Sequence, residues 1–556
     1  MNILVFSIAH DSSVCYLEDG VVKFFCKEER LSGTKRDKHP FKSLEKFREL
    51  FNVKLDRCLY VTPSNDEPDI EATYNHYVKK FFNVPLENYS GLLHHLCHAT
   101  LAFCNSTFSE ALVFVVDRNG SLFFVNGDKV AREAESVYAF SKQNSHFPLY
   151  KNFFLLKGEA SKVITEHNIQ STYGSNVDIF ARSSFGIVSM YEAATTLMGQ
   201  QQLENGKAMG LSSYCTKTTF DPLVTDSLVD GRYFFDNATR FSPSLRNLGV
   251  CFVGEQQNIT DEVTKENYAY YAEKAKHVQV ESQKAVLELI ERYVSETGIK
   301  NVCVVGGYGL NVVANAHYLE KMPDVNFYFE PVADDTGISI GAAMLKHFEL
   351  TTTMPDGLKD NFYHYYDASE ITPKGHLASL DDVCDLLIAQ KSIGFFESCP
   401  ESGPRALGHR SILFDCRNSN AKDLVNKIKN REWYRPFAGV MLEEHFDTYF
   451  ETLGLSKSEF MTVNFKARPN ALAMMPGVIH VDGTCRVQTV SSGALYNLLQ
   501  KFYAKTGCPM LLNTSLNLAG MPLVQTKENA NIILNTSELD YLYFVDDSIL
   551  VSKKER

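Results

Sequence analysis

Short apolar runs broken by small polar turns open the chain. Residues 3–8 (ILVFSI), 13–18 and 21–28 (VVKFFCKE) read as strands, separated by His10-Asp11-Ser12 and by Asp19-Gly20. An Asp-Gly pair between apolar runs predicts a two-residue hairpin turn. The arrangement returns where 111–116 (ALVFVV) runs into Asp117-Arg118-Asn119-Gly120, after which SLFFVNGDKV is expected to fold back as a second hairpin. Two such units predict a duplicated domain with two facing turns that handle a nucleotide or phosphate. Helical spacing follows over about 185–198 and, strongly, over 266–295. NVCVVGG (301–307) and NFYFEP (326–331) read as strands, each entering a polar loop and then a helix, LNVVANAHYLEKM and SIGAAMLKHF. Strand, loop, then helix is how α/β sheets place ligand groups at strand C-termini.

The rhythm is lost over 351–376, which reads as a crossing between domains. A new α/β pattern follows: strand SIGFFES, helix DLVNKIKNRE, strand VIHVDGTCRVQTV, helix ALYNLLQKFYAKTG and strand PMLLNTS. The expected division is 1–355, a linker over 356–378, and 379–556. A chain of 556 residues is too long for one ordinary core, which agrees with that division.

Composition narrows the class. With 44% hydrophobic and 22% charged residues, wholesale disorder and collagen-like repeats are excluded. No run approaches the ~18–20 apolar residues of a membrane span. The opening ILVFSIA lacks a basic leader and reads as a strand, not a signal peptide, so a cytoplasmic protein is expected. The 13 cysteines never form C-x-x-C, which argues against a zinc ribbon or a disulfide framework. Cys15, Cys97 and Cys303 sit in apolar runs and read as reduced core residues. A formal charge of −12 speaks against a broad grip on nucleic-acid phosphates, although a local basic patch remains compatible with it.

Two constellations carry chemistry. His94, His95 and His98 lie in SGLLHHLCHATLAF, a helical pattern with Ser90 as candidate N-cap. His94 and His98 are i and i+4, so both imidazoles can face one metal. A bare H-x-x-x-H is more often accidental, but Asp117 and Asp335 sit at the mouths of expected strands and could complete a two-His, two-carboxylate site. That ligand set suits Fe(II), Mn(II) or Zn(II). In the second half, Arg405, Arg410 and Ser411 share one turn, Lys429 and Arg431 end a helix, and Arg435 follows. Arg486 lies mid-strand, and Ser515 and Asn517 close the set. Arg forks converging on one pocket suit a polyanion such as ATP with an acyl phosphate. The competing reading is that these arginines pair at the surface with Glu401, Asp415 and Glu432. A Walker motif is absent, and Gly306-Gly307-Tyr308-Gly309 lacks the acidic residue a dinucleotide site needs, which discounts a P-loop and NAD.

Taken in order, HDSS (10–13), HHLCHA (94–99), ENGKAMGL (204–211), VGGYGLNVVAN (305–315), ADDTGISIGAA (333–343), ESGPRALGHRSIL (401–413), KNREWYRPFA (429–438), DGTCRVQTV (482–490) and LLNTSLN (511–517) resemble the NodU/CmcH family of O-carbamoyltransferases, the group that includes the tobramycin carbamoyltransferase. The resemblance implies an α/β protein. Its first part is a duplicated actin/Hsp70-like (ASKHA) domain similar to the tRNA threonylcarbamoyltransferase subunit; its second is a YrdC-like α+β domain with its K-x-R and S-x-N signatures at Lys429/Arg431 and Ser515/Asn517. It further implies that the YrdC-like domain joins carbamoyl phosphate to ATP with Mg²⁺, giving carbamoyl adenylate and pyrophosphate. The first domain then transfers the carbamoyl group to an acceptor hydroxyl. By the same resemblance His94, His98, Asp117 and Asp335 hold a metal, typically iron as Fe(II), and His10 and Asp11 stand beside the reacting groups. Lys207, Gly306, Gly307 and Asn311 are expected to contact the adenylate.

The chain departs from the family where relatives have Asp-Gly-x-Gly and it has Asp117-Arg118-Asn119-Gly120, so Arg118 is expected to narrow the site or meet an anionic acceptor. Residues 131–184 and 215–265 match no family segment and are where acceptor recognition is expected to vary. A hydrogenase-maturation carbamoyltransferase is disfavoured by the missing acylphosphatase and C-x-x-C modules. GPRALGHRS and the fused domain order disfavour a tRNA threonylcarbamoylating enzyme. A non-enzymatic ATP-regulated module of the actin/Hsp70 type stays as the alternative. The expected acceptor is a small hydroxylated metabolite, with a hydroxymethylated pyrimidine in a nucleotide or DNA as its rival. The expected setting is the cytoplasm of a bacterium or of a virus-infected bacterial host, with a homodimer left open.

Overall fold

The computed structural model describes residues 1–62, 68–91, 93–125, 128–143, 145–155, 172–174, 176–182, 186–201, 203–220, 241–244, 249–252, 263–358, 362–363 and 373–553. The chain divides into two compact units. Unit 1 comprises Met1–Lys23, Lys38–Pro40 and Leu44–Lys359; unit 2 comprises Phe24–Asp37, Phe41–Ser43 and Asp360–Arg556. Unlike the contiguous halves expected from the sequence, unit 2 thus includes a segment from near the start of the chain.

Unit 1 is built on two mixed sheets. In the first, Asn2–Ser7 pairs antiparallel with Ser13–Glu18 and parallel with Arg57–Val61, which in turn pairs parallel with Leu86–Asn88. Val21–Lys27 forms its other edge. The Asp19-Gly20 turn has both residues left-handed, at φ 47° and 82°, as a two-residue hairpin with the right twist requires. In the second sheet Glu110–Val116 takes the central place of Asn2–Ser7. It pairs antiparallel with Asp128–Ser141 and parallel with Asn301–Val305, and Asn326–Phe329 follows in parallel. Ser145–Leu155 pairs antiparallel with Asp128–Ser141, and Asp178–Arg182 continues beyond it. The repeated order is the duplication expected of an actin/Hsp70-like α/β domain. The return strand differs from expectation: Leu122–Val125 pairs with Asp128–Ser141, and it is this longer strand that lies against Glu110–Val116.

Apolar strands buried on both faces, such as Leu112 to Val116, make these central strands near-continuous hydrophobic runs. Two helices, His94–Ser106 and Ile338–Thr351, cross closely because Gly341 leaves room for the Cys97 carbonyl, where a Cβ would overlap it. The long helix Tyr268–Thr297 ends at Gly298, left-handed at φ 74°.

Unit 2 carries a ten-stranded mixed sheet with Ile393–Phe396, Arg410–Phe414, Met510–Ser515, Ala438–Leu442 and Thr484–Val490 side by side at its centre. The expected strand over VIHVDGTCRVQTV is therefore only its second half; Asp482-Gly483 forms a turn, with Gly483 at φ 77°. Of the expected crossing, residues 359–361 and 364–372 lie outside the described residues, as do 144, 156–171, 175, 183–184, 221–240, 245–248 and 253–262 within the segments expected to recognise the acceptor. Among the described residues, no helix is long and apolar enough to cross a membrane.

Candidate functional site

In unit 1, four side chains from three separated stretches converge. One ligand atom from each of His94, His98, Asp117 and Asp335 lies within 4.8 Å of the others, and all four residues are buried. His94 Nε2 stands 3.5 Å from Asp117 Oδ2 and 3.6 Å from Asp335 Oδ1, and His98 Nε2 stands 3.5 Å from Asp335 Oδ1. These separations exceed ordinary hydrogen bonds. They are close to the ~3–4 Å between ligand atoms that each reach one ion at ~2.1 Å.

The elements that aim these groups are legible. Helical spacing brings His94 and His98 to one side. The Asp117 loop is pinned by Gly307, whose N–H donates to Asp117 Oδ1 at 3.0 Å. Gly306, left-handed at φ 86°, permits this, because a Cβ there would stand 2.5 Å from the Val116 carbonyl oxygen. Ser90 is not the helix cap: its hydroxyl accepts from the Thr62 N–H at 3.0 Å, while the Ser121 hydroxyl accepts from the His94 N–H at 3.1 Å.

His10 borders the cluster. Its Nδ1 lies 3.1 Å from Asp11 Oδ2, and its Nε2 lies 3.5 Å from Asp335 Oδ2. Burial opposes its protonation, yet Asp335 and then Asp11 outweigh it and push the imidazole up to about 9. Burial likewise opposes the charged form of Asp117, but His94 and His98 hold its carboxyl well below the usual range.

A metal fits this cluster on the chemistry of its donors. Both ring nitrogens of His94 and of His98 are buried without a hydrogen-bond partner, which a native structure rarely tolerates. Two acceptor nitrogens facing two carboxylates form a complete N/O ligand set once an ion supplies the charge.

In unit 2 the sheet register does the positioning. Ser411 pairs with Ser515, Ala438 with both Asn513 and Arg486, so these residues share one face. Lys429, at the end of helix Ala421–Lys429, reaches the same region. Its Nζ donates to the Ser515 hydroxyl at 3.2 Å and to Asn517 O and Oδ1, both at 2.8 Å, and also meets Ser515 O. Arg431 donates to Asn426 Oδ1 at 2.8 Å and Pro436 O at 2.9 Å, and lies over the Phe437 ring. Burial first, then Arg431 and Arg435, pull the Lys429 ammonium well below its usual range. Burial, with Arg435 adding to it, lowers Arg486 to about 10. Such a concentration of cations is stabilised by an anion.

Sequence models of two halves of one family match the chain: Carbamoyltransferase N-terminus over residues 66–344, which alone spans half of it, and Carbamoyltransferase C-terminus over 384–553. The chain belongs to the carbamoyltransferase family. It is 27% identical to nodulation protein NolNO of Sinorhizobium fredii, covering 98% of this chain and 79% of that one. It is 28% identical to nodulation protein NolO of Bradyrhizobium diazoefficiens over 81% of this chain and 77% of the relative. A crystal structure of full-length HypF in the phosphate- and nucleotide-bound form is similar with a TM-score of 0.37 at 13% identity, over 63% of this chain and 56% of that one.

Within this carbamoyltransferase, several residues expected at the ligands have other bonds. The Arg410 guanidinium, fully buried, donates to Ser398 O at 2.8 Å, His409 O at 2.9 Å and Gln525 O at 3.1 Å, and to Glu397 O. Ser411 accepts from the Gly408 N–H at 3.0 Å, and Arg405 is half-buried in the same loop. Asn311 caps helix Val312–Lys321 and bonds Tyr191 and Gln279, each at 3.3 Å. Lys207 donates to Gln200 Oε1 at 2.6 Å and pairs with Glu204 at 2.9 Å. Surface pairing holds for Arg435 with Glu432, at 3.6 Å, whereas Glu401 accepts backbone N–H groups from Leu407, His409 and Arg410. Arg118 forms an ion pair with buried Glu192, a partner that no sequence signal marked.

Proposed function

We propose that this carbamoyltransferase is an ATP-dependent O-carbamoyltransferase working in two stages. Unit 2 forms carbamoyl adenylate from carbamoyl phosphate and ATP with Mg²⁺. Water takes the phosphoryl group from carbamoyl phosphate as inorganic phosphate, and the freed carbamate oxygen attacks the α-phosphorus and expels pyrophosphate. Lys429, Arg431, Arg435 and Arg486, with Ser515 and Asn517, hold the two anions against their mutual repulsion. Their support is the cluster of cations around buried Lys429, which is costly unless an anion completes it.

Unit 1 carries out the transfer. His94, His98, Asp117 and Asp335 would hold a divalent ion, proposed as Fe(II), and that ion when bound would supply a Lewis acid for the adenylate phosphate. In its neutral form His10 is the base for this stage. His10 Nε2 then accepts the proton of the acceptor hydroxyl, while Nδ1–H donates to Asp11 and fixes the tautomer. The hydroxyl oxygen attacks the carbamoyl carbon, and the bond to AMP breaks. The acceptor is proposed as a small hydroxylated metabolite. The observation that carries the reading is the buried two-His, two-Asp cluster bordered by a His–Asp pair.

Two variants test the division of labour. Lys429→Ala is expected to abolish carbamoyl-phosphate-dependent ATP–pyrophosphate exchange, and His98→Ala to retain exchange but lose transfer to every acceptor in a panel of hydroxylated metabolites, nucleotides and DNA. Loss of exchange in His98→Ala would show that the two stages are not divided this way.

A further inference from the structure

Below the four-ligand cluster lies a buried charge pair that the reaction does not use. Glu133 and Lys151 are both 0% exposed on neighbouring strands, and Lys151 Nζ donates to Glu133 Oε1 at 2.7 Å. Tyr138 meets the same ammonium through its hydroxyl, and the ammonium lies 4.5 Å from the Tyr138 ring centroid. Burying two charges costs several kcal/mol per ion, and apolar replacement of such a pair is often neutral or stabilising. Stability alone therefore does not account for it.

The second carboxylate oxygen is bonded to the segment that meets the first of the histidines. Glu133 Oε2 accepts from the Ser121 N–H at 3.1 Å, while the Glu133 N–H donates to Ser121 O at 3.1 Å and its carbonyl accepts from Gly120 at 2.9 Å. Gly120 has no alternative there, because a Cβ would overlap the His95 ring and Glu133 Cβ. Ser121, held from both sides, presents its hydroxyl to the His94 N–H, the first residue of the helix bearing both imidazoles.

We infer that Glu133 is a positioning residue for the metal centre, acting through Ser121 to set where helix His94–Ser106 begins; this rests on the metal reading proposed above. The role of Lys151 is to compensate the carboxylate charge. Loss of a group that bonds a ligand residue, as Ser121 bonds His94, typically changes metal affinity by about 10–100-fold, and Glu133 acts through that same group.

The test titrates Co(II) into the metal-free full chain and reads its visible absorption, with thermal melting of the metal-free protein alongside. Glu133→Met with Lys151→Met removes the charges and the acceptor for Ser121. It is expected to weaken Co(II) binding about 10–100-fold and alter the bands, while melting stays cooperative. Glu133→Gln with Lys151→Met keeps an acceptor and is expected to stay close to the unaltered protein. Unchanged affinity and spectrum in the Met/Met chain, or equal losses in both double variants, would overturn the inference. Should the Met/Met chain not melt cooperatively, Ser121→Ala, which removes only the hydroxyl, carries the test, and unchanged Co(II) affinity there overturns it as well. Failure of the unaltered protein to bind Co(II) overturns the metal reading itself and the inference with it.

Discussion

At the scale of single residues, Glu330 gives a pH dependence separate from the His/Asp cluster. It follows strand Asn326–Phe329 and is fully buried, and burial pushes its carboxyl up to about 7 from an ordinary 4.5 despite bonds from Val332 N–H at 2.8 Å and Asn105 at 3.0 Å. A carboxyl raised on folding favours the native state below its unfolded value and loses that contribution as pH climbs through its folded value. Unit 1 is therefore expected to lose up to about 3 kcal/mol from this group between pH 4.5 and 7. Glu330→Gln removes the titration. Calorimetry at pH 5 and pH 8 should show the variant gaining relative to the parent at the higher pH, and an equal difference at both would count against it. Such buried carboxyls were not legible in the sequence, since Glu330 looked like one polar residue ending a strand. His94 and His98 were legible because helical spacing alone pairs them. Glu133 and Lys151 were not, because their meeting depends on the register between two long strands.

At the scale of elements, the placement of the His94–His98 pair hangs on one close helix crossing. Gly341 faces the Cys97 carbonyl, and Cys97 sits between His94 and His98 on the crossing helix. Replacing Gly341 with Ala gains about 0.4–1 kcal/mol by restricting the unfolded chain. Overpacking against a backbone carbonyl, which cannot rotate aside, costs about 1–3 kcal/mol or more. Overpacking wins, so Gly341→Ala is expected to destabilise by about 2 kcal/mol in urea unfolding, with weakened Co(II) binding. A stabilised variant would mean that the helices shift apart freely. The sequence carried this helix as SIGAAMLKHF but not its partner, since a glycine within a helix signals close approach without naming what approaches. The second-hairpin expectation failed for a related reason. Leu122–Val125 has the apolar character of the return strand, and only tertiary pairing selects the longer Asp128–Ser141 instead.

At the scale of the whole molecule, duplication was visible as two apolar-strand and polar-turn units, and the structure repeats one strand order in both sheets. The membership of Phe24–Asp37 in unit 2 was hidden, because strand Val21–Lys27 reads as an ordinary third strand of the first sheet. That segment is anchored by specific bonds. Arg30, 7% exposed, donates to Gly403 O at 2.8 Å and to Glu401 O, in the loop whose N–H groups Glu401 gathers. Glu28 accepts from the Lys42 and Ser43 N–H groups at 3.0 and 2.8 Å, placing a carboxylate at the start of helix Phe41–Leu50. A fragment of residues 360–556 would hold every proposed ATP-binding side chain, yet it would leave the Glu401 and Gly403 carbonyls without the guanidinium. In the full chain, Arg30→Met strands the same two carbonyls while they stay covered, at a cost of about 1–3 kcal/mol each. The fragment is expected to melt without cooperativity and to show no pyrophosphate exchange, whereas Arg30→Met in the full chain, which retains the rest of the segment, should melt several degrees lower and keep exchange. A fragment that folds and exchanges at the rate of the full chain would show that the early segment is dispensable and that the second unit begins after the crossing.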